Sequence, residues 1–289
     1  MLWWVLLGLL AIGLLVAAYA ILVERRWYRL ARYRLDILPG GEPLTVLHLS
    51  DLHMLDGEEH KRRFMRGLPR ADVTIVTGDL LGEPAAVEYV VETLGPLRGR
   101  LASYFVLGSN DLYAPRPMNP LRYFVPPQRR RKRRRARRGR APDLVAQLEA
   151  DGWIHLKNRR HDARLDGVPM EVLGLDDPHI HRGDVSASPR TDGERFGLAV
   201  VHSPDPTAEL VASGWDLIVS GHTHGGQVRL PWGRALVTNS SIPRRMASGL
   251  HRIGASFLHV SPGLGTSKYA PFRLFCRPEA TLLELRRSE

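Results

Sequence analysis

Cysteine is almost missing from this chain. Cys276 is the only one in 289 residues, so no intramolecular disulfide can form, which is compatible with a reducing compartment. Internal repeats are missing as well, and so is any clean domain boundary. The roughly 250 residues that follow the first stretch therefore make one large domain or two small ones. Charge is missing from Leu2 to Val23, "LWWVLLGLLAIGLLVAAYAILV". As a helix rising about 1.5 Å per residue this stretch is roughly 33 Å long, enough to cross a bilayer core. Only Met1 precedes it, so the basic n-region of a signal peptide is lacking. The apolar run is also too long for an ordinary h-region, although Ala18-Tyr19-Ala20 resembles a cleavage site. A retained anchor is the reading over a cleaved leader. Arg25, Arg26, Arg29, Arg32 and Arg34 follow it. The positive-inside rule then leaves a single-pass protein of the cell membrane with the rest of the chain in the cytoplasm, and Trp27, Tyr28 and Tyr33 suit an interfacial belt.

Away from one place, excess charge is lacking too. The net charge of +11 comes almost wholly from residues 129–140, "RRRKRRRARRGR", which hold ten basic side chains. Without them the chain is nearly neutral. Ten neighbouring cations cannot be buried together, so this block is expected as an exposed loop inserted in the domain. Attraction to an anionic inner leaflet is its most physical role, at about 1 kcal/mol per basic residue. Nucleic-acid binding comes second, because no aromatic-interleaved platform accompanies the block. A solvated loop without a role is the plain alternative. The expected organisation is an anchor at 1–23, a basic juxtamembrane linker at 24–43, and a domain from 44 to 289 carrying this insertion.

Short apolar runs rich in Val, Leu and Ile read as buried strands: Leu44 to Leu49, Val73 to Thr77, Tyr104 to Leu107, Glu171 to Leu175, Leu198 to Val201 and Leu217 to Val219. Helical stretches lie between several of them, at His60 to Gly67, Ala85 to Leu94, Leu144 to Ala150 and Thr207 to Ser213, which argues for α/β layering. In the last third, Val228 to Leu230, Ala235 to Thr238, Ala255 to Val260 and Thr281 to Leu285 are strand-like with few helices between them. A second, largely antiparallel sheet packed on the first fits that pattern.

The chemistry collects just after the strands. The first run delivers "SDLH" with Asp51 and His53, the second Gly78-Asp79, the third "GSND", then "HSP" with His202, then "SGHTHGGQ" with His222 and His224. A lone Gly-Asp is nearly always a turn, and a lone Asp-x-His is usually nothing. Their recurrence at five strand ends is what carries weight. Imidazole, carboxylate and amide groups are ligands for first-row divalent metals. A spacing of two puts both side chains of Asp51/His53, and of His222/His224, on one side of an extended segment. Seven candidates, Asp51, His53, Asp79, Asn110, His202, His222 and His224, are too many for one ion and suit two metals sharing a carboxylate.

In order and wording, "SDLH", "GD", "GSND", "VHSPDP" and "GHTHGGQ" resemble the motifs of the calcineurin-like metallophosphoesterases, and especially their membrane-associated bacterial phosphodiesterase branch. The likeness runs from about Leu44 to Leu285 and includes "SPGLGTSKYAPFRLFCRPEATLLEL"; "GHTHGGQ" is its most specific part. It implies a four-layer αββα sandwich of two mixed sheets, and a site for two divalent ions (Mn2+, Fe2+ or Zn2+). One ion would be held by Asp51, His53, Asp79 and His224. The other would take Asp79 as bridge with Asn110, His202 and His222. The family's third motif reads Gly-Asn-His-Asp/Glu, with Asn on the metal and His on the substrate, whereas this chain has Gly108-Ser109-Asn110-Asp111. Letter for letter, Ser109 would be the ligand and Asn110 would face the substrate. A shifted turn would make Asn110 the ligand, which is favoured because an amide oxygen is a better donor than an un-ionised hydroxyl.

Two such ions bind a phosphoryl group and generate a hydroxide that attacks in line. The expected activity is hydrolysis of a phosphodiester or pyrophosphate, with Asp79, Asn110 and Asp111 as the catalytic set. Without the third-motif histidine, good leaving groups are favoured, such as nucleotidyl, pyrophosphate or aryl groups. The substrate is a phosphoester of nucleotide or lipid-linked type. The competing class is a catalytically weak, membrane-tethered binder of RNA or acidic partners through 129–140. His179 and His181 in "DDPHIHRGD" read as a loop at the site's rim, and His48 as a packed residue or one supporting the ligands.

Overall fold

The computed structural model describes residues 1–115, 117 and 138–288. Most of the Arg-rich block therefore lies outside the described residues, and so do the membrane-surface and nucleic-acid readings placed on it. Its described end, Arg138 to Arg140, lies beside Leu112 and Tyr113. Tyr113 and Arg138 form an antiparallel bridge, and the Gly139 amide donates to the Leu112 carbonyl at 2.9 Å.

The chain opens with α1 (Leu2–Ala18), which runs on through a wider turn (Tyr19–Val23) and a tight one (Glu24–Arg26), apolar and exposed along most of its length. Two six-stranded sheets follow. The first has the order β1 (Arg29–Leu38), β12 (Glu279–Arg287), β2 (Leu44–Leu49), β3 (Val73–Thr77), β4 (Ala102–Val106), β5 (Ile154–His155). The second has the order β10 (Gly249–Ile253), β11 (Ser256–Val260), β9 (Leu217–Ser220), β8 (Phe196–Val201), β7 (Val168–Leu175), β6 (Arg159–Leu165). Both are mixed, with parallel pairs at their centres and one antiparallel pairing at β12/β2 in the first sheet. The expectation of a largely antiparallel second sheet fails. Its β11, β9, β8 and β7 are parallel neighbours, and β12 crosses to the first sheet.

Alternation within the strands builds the layers. In β2, Leu44 and Val46 join Val73, Ile75, Val172, Leu198 and Val219 in the core between the sheets. Leu47 and Leu49 face the other way, onto α2 (Glu59–Arg66), α3 (Val87–Leu94) and α5 (Ala141–Ala150) through Met65, Val90, Leu94, Leu144 and Leu148. On the far side of the second sheet, α6 (Thr207–Ala212) packs Leu210 against Trp215 and Ile218. The result is the four-layer αββα sandwich.

The stretch read as a juxtamembrane linker is not a linker throughout. Residues 29–38 form edge strand β1, whose Arg29 and Arg34 pair across to Glu279 and Glu284 of β12 at 2.6 and 3.7 Å. Charges on the open face of an edge strand look, in sequence, like a basic flank. In the last third, Val228 to Leu230 and Ala235 to Thr238 form only a bridged hairpin, not strands of a sheet.

Candidate metal centre

Five strand ends converge at one edge of the sandwich: β2, β3 and β4 from the first sheet, β8 and β9 from the second. The chain turns there under strain. Asp51, His53, Asp79, His222 and His224 all have left-handed φ, between 42° and 68°. Such values in non-glycine residues cost energy and collect where function demands them. Two glycines permit the approach: a Cβ on Gly108 would collide with Asp79 Oδ1, and one on Gly221 with Ser50 Oγ and Asp51 Oδ2.

Asp79 sits in the middle. Its Oδ2 is 3.4 Å from His53 Nε2 and its Oδ1 is 3.7 Å from His202 Nε2, so its two oxygens face the two histidine groups. Asn110 closes on it, donating Nδ2 to Oδ2 at 2.5 Å and its backbone amide to Oδ1 at 2.8 Å. Burial pushes the Asp79 carboxyl up, but His202, His53 and these two hydrogen bonds outweigh it and hold it well below the usual range. On one side, His53 Nε2 and His224 Nε2 are 3.2 Å apart, and His224 Nε2 is 3.6 Å from Asp51 Oδ1. Asp51 Oδ2 accepts from Ser50 Oγ at 2.6 Å and the His222 amide at 2.9 Å, while buried Oδ1 has no hydrogen-bond partner among the described residues.

The imidazoles are set by their backs. His202 Nδ1 donates to the Thr77 carbonyl at 2.7 Å, and His222 Nε2 to the Asn239 carbonyl at 3.1 Å. Those carbonyls accept only, so His202 Nε2 and His222 Nδ1, 3.3 Å apart, face inward, where the neutral rings offer lone pairs. Burial lowers His53 to about 3, and burial with His202 and His179 nearby lowers His222 to about 3. His202 goes the other way. Burial opposes its charge, but the Asp79, Asp177 and Asp51 carboxylates raise it to about 9.

Two groups, Asp51/His53/His224 and Asp51/Asp79/His202, bring their ligand atoms within 4.8 Å of one another. Asp51 is thus shared in this geometry as well as Asp79. The donor set is nitrogen and oxygen without sulfur, the set that suits Mn, Fe or Zn. Orphaned Asp51 Oδ1, neutral imidazoles facing one another, and N–H groups tied to carbonyls all fit a divalent cation.

Ser109, the letter-for-letter alternative, makes no side-chain hydrogen bond among the described residues and is half-exposed at the start of the single-turn helix α4 (Ser109–Leu112). Asp111, expected in the catalytic set, is fully buried and turned away. Its two oxygens accept the Leu81 and Gly108 amides, each at 2.9 Å, and burial with Asp79 nearby lifts its carboxyl to about 7. It holds the turn that aims Asn110. His48 lies between the sheets, bonded to His259 at 2.8 Å and Thr77 Oγ1 at 2.9 Å.

Three supporting residues have no place in the sequence reading. Asn239 fixes His222. Asp177 is buried with Oδ2 unpartnered among the described residues, and helps charge His202. Asp205 accepts from Ser203, Ser240 and Ser241 and lies 3.3 Å from His179 Nδ1. His179 stands over His222 with ring centroids 4.4 Å apart, at the rim as its loop position implies. "VHSPDP" and "DDPHIH" carry two of these three acids and amides in view; nothing marks Asn239.

Comparison with known proteins agrees with this geometry. Residues 44–226, more than half the chain, match the family model described as calcineurin-like phosphoesterase. The chain is 27% identical to an uncharacterized metallophosphoesterase, YkoQ, of Bacillus subtilis, over 86% of each protein. It is 25% identical to the phosphodiesterase YaeI of Escherichia coli, over 91% of this chain and 90% of that one. It is 29% identical to a bovine transmembrane protein with metallophosphoesterase domain, over 86% of this chain and 54% of that protein.

Proposed function

The chain belongs to the calcineurin-like phosphoesterase family and is a metal-dependent phosphoester hydrolase, and from that premise we propose that it is a membrane-anchored phosphodiesterase working with two divalent ions. The observation that carries the dinuclear reading is Asp79. Its two oxygens face His53 on one side and His202 on the other. Asp51, His53 and His224 would hold one ion, and Asn110, His202 and His222 the other, with Asp79 between them. Bound there, such ions supply Lewis acidity and a nucleophile at neutral pH.

The protein's own groups do the rest. The Thr77 and Asn239 carbonyls hold His202 and His222 in the tautomer that points a lone pair inward. Gly108 and Asp111 set the turn so that Asn110, and not Ser109, meets Asp79. A rotation of the Asn110 amide exchanges Nδ2 for Oδ1 and presents the oxygen to a cation. No imidazole follows Asn110, so departure of the leaving group receives little help and substrates with acidic leaving groups are favoured. The relative YaeI, named a phosphodiesterase, supports that substrate class.

The apolar helix Leu2–Arg26 and the bovine transmembrane relative support membrane anchoring. Arg25 and Arg26, in the last turn of that helix and past its apolar run, support a cytoplasmic domain. The test is hydrolysis of bis-p-nitrophenyl phosphate by the full-length protein in detergent, stripped with chelator and then reloaded with Mn2+, Fe2+ or Zn2+. Activity should vanish on stripping and return on loading. Activity indifferent to chelation and reloading would refute the reading.

A further inference from the structure

A cleft that reaches one of the candidate ligands lies at the end of the apolar helix. It is narrow, about 60 Å³, and is lined by His53 together with Arg25, Arg26, Tyr28, Lys61 and Lys268. Arg25 and Arg26 form the last turn of the helix that begins at Leu2. Lys61 and Lys268 are already paired, with Glu58 at 2.8 Å and Glu83 at 2.5 Å. Among the described residues, the two arginines are left as the uncommitted cations of the mouth, and Arg25 Nε is buried without a partner.

The helix end is also fastened beside the centre. The Ala20 carbonyl accepts from the Arg273 amide at 3.1 Å, and the buried Glu24 carboxylate accepts from the Cys276 amide. Arg277 lies 4.2 Å over the Trp27 ring and donates to the Trp27 and Tyr28 carbonyls at 2.9 and 3.2 Å. Cys276 in turn touches the His224 carbonyl at 3.4 Å. The place where the chain leaves the bilayer and the mouth of the centre are therefore fixed relative to each other.

The surface around the helix end has the make-up of a bilayer interface, aromatic and basic together. Trp27, Phe275 and Trp232 are 52%, 51% and 74% exposed. Phe275, and Pro231 next to Trp232, line a second cavity of about 310 Å³ together with Tyr19 of the helix, Arg229 and Arg277.

Size decides what enters. Pockets that enclose a small organic ligand run to about 300–1,000 Å³, so the cleft takes a phosphoryl group and leaves the rest of the substrate outside. With the helix anchored as proposed above, what lies outside is the bilayer surface. We infer that the centre acts on phosphodiesters carried by a bilayer lipid, the head group entering past Arg25 and Arg26 while the acyl chains stay in the membrane. The inference rests on the anchoring and hydrolysis proposed above and adds the substrate class. In the reaction, water oxygen forms a new bond to phosphorus and the phosphorus–oxygen bond to the leaving group breaks, its electron pair staying on the leaving oxygen. Of the two water protons, one reaches that oxygen through solvent and the other stays on the product monoester or passes to buffer.

The experiment uses the full chain, loaded with Mn2+, in phosphatidylcholine nanodiscs. Two probes share one leaving group: the p-nitrophenyl phosphodiester of dioleoylglycerol within the disc, and methyl p-nitrophenyl phosphate in solution. The lipid probe should be hydrolysed with kcat/KM at least about tenfold above the soluble one, an advantage of confinement at the surface. Arg25→Ser with Arg26→Ser should lower the lipid-to-soluble ratio at least about fivefold, the order expected from losing interfacial charges. Trp232→Ser, a change at an exposed tip that spares the fold, should lower the same ratio. Hydrolysis of the soluble probe alone, or a ratio unmoved by all these changes, overturns the lipid inference and leaves phosphodiesterase activity standing. Hydrolysis of neither probe overturns both.

Discussion

Of the candidate ligands, the strand ends of the first sheet carry Asp51, His53, Asp79 and Asn110, and those of the second carry His202, His222 and His224. Oxygen donors come almost entirely from one half of the sandwich, and nitrogen donors mostly from the other. Each candidate ligand group, Asp51/His53/His224 and Asp51/Asp79/His202, draws on both halves. Neither sheet makes a site alone. The apolar core between them, with Val46, Ile75, Leu198 and Val219, therefore does more than stabilise: it sets the distance between carboxylates and imidazoles. The charge state of His202 depends on both halves, since it is raised to about 9 against its burial by Asp79 and Asp51 of the first and by Asp177, just past β7 of the second.

Removing the shared carboxylate should have the largest effect. Asp79→Ala is expected to reduce hydrolysis of bis-p-nitrophenyl phosphate by about 10³-fold or more, on the scale of losing a principal charge-stabilising group. Hydrolysis within tenfold of the parent would break the comparison at its centre.

The third motif sharpens it next. Asn110→Ala is expected to cost about 10–100-fold in activity or metal affinity, because it removes the amide group that meets Asp79 Oδ2, while the backbone bond to Oδ1 remains. Ser109→Ala should change either by less than about twofold, as for a surface substitution. The reverse order, read from kinetics and metal titration of both variants, would restore the letter-for-letter alignment. Asp111→Ala should act through the fold. It strips the acceptor from two buried amides, at about 1–3 kcal/mol each, and thermal unfolding should show it.

Much of this was visible in the sequence, and what was not has a common cause. β2 and β3 match their apolar runs residue for residue, because central strands buried on both faces are predominantly apolar. The strands that no apolar run announced are β1, β5, β6 and β10, the four edges of the two sheets. Edge strands hold charge on their open faces, as in "RLARYRLDIL" and "RRHDARL", and so read as linker or loop. The candidate ligand positions could be picked out because five polar strand ends recur. The residues that orient them were not: Asn239 acts through its carbonyl, which every residue possesses, and Asp111 differs from a ligand only in the direction it points.

A smaller effect concerns protons. In the metal-free protein His202, at about 9, carries a proton at pH 7, whereas His53 and His222, at about 3, do not. A folded-state pKa above the unfolded value of about 6.5 contributes stability that is complete below pH 6.5 and lost as pH rises through 9. Metal binding needs the neutral ring, so affinity should rise with pH over the same range and loading at pH 7 should release about one proton. Calorimetry in buffers of different ionisation enthalpy measures that number. Zero protons released would mean that the surrounding carboxylates do not charge His202.

The count of bound ions tests the central claim most directly. Elemental analysis of the full-length protein, loaded with Mn2+ and desalted, should find two ions per chain in the parent, one in His224→Ala, and fewer than one in Asp79→Ala, since only the last change removes a ligand common to both positions. Two ions retained by Asp79→Ala, or a single ion in the parent, would contradict a centre built around Asp79 between the two sheets.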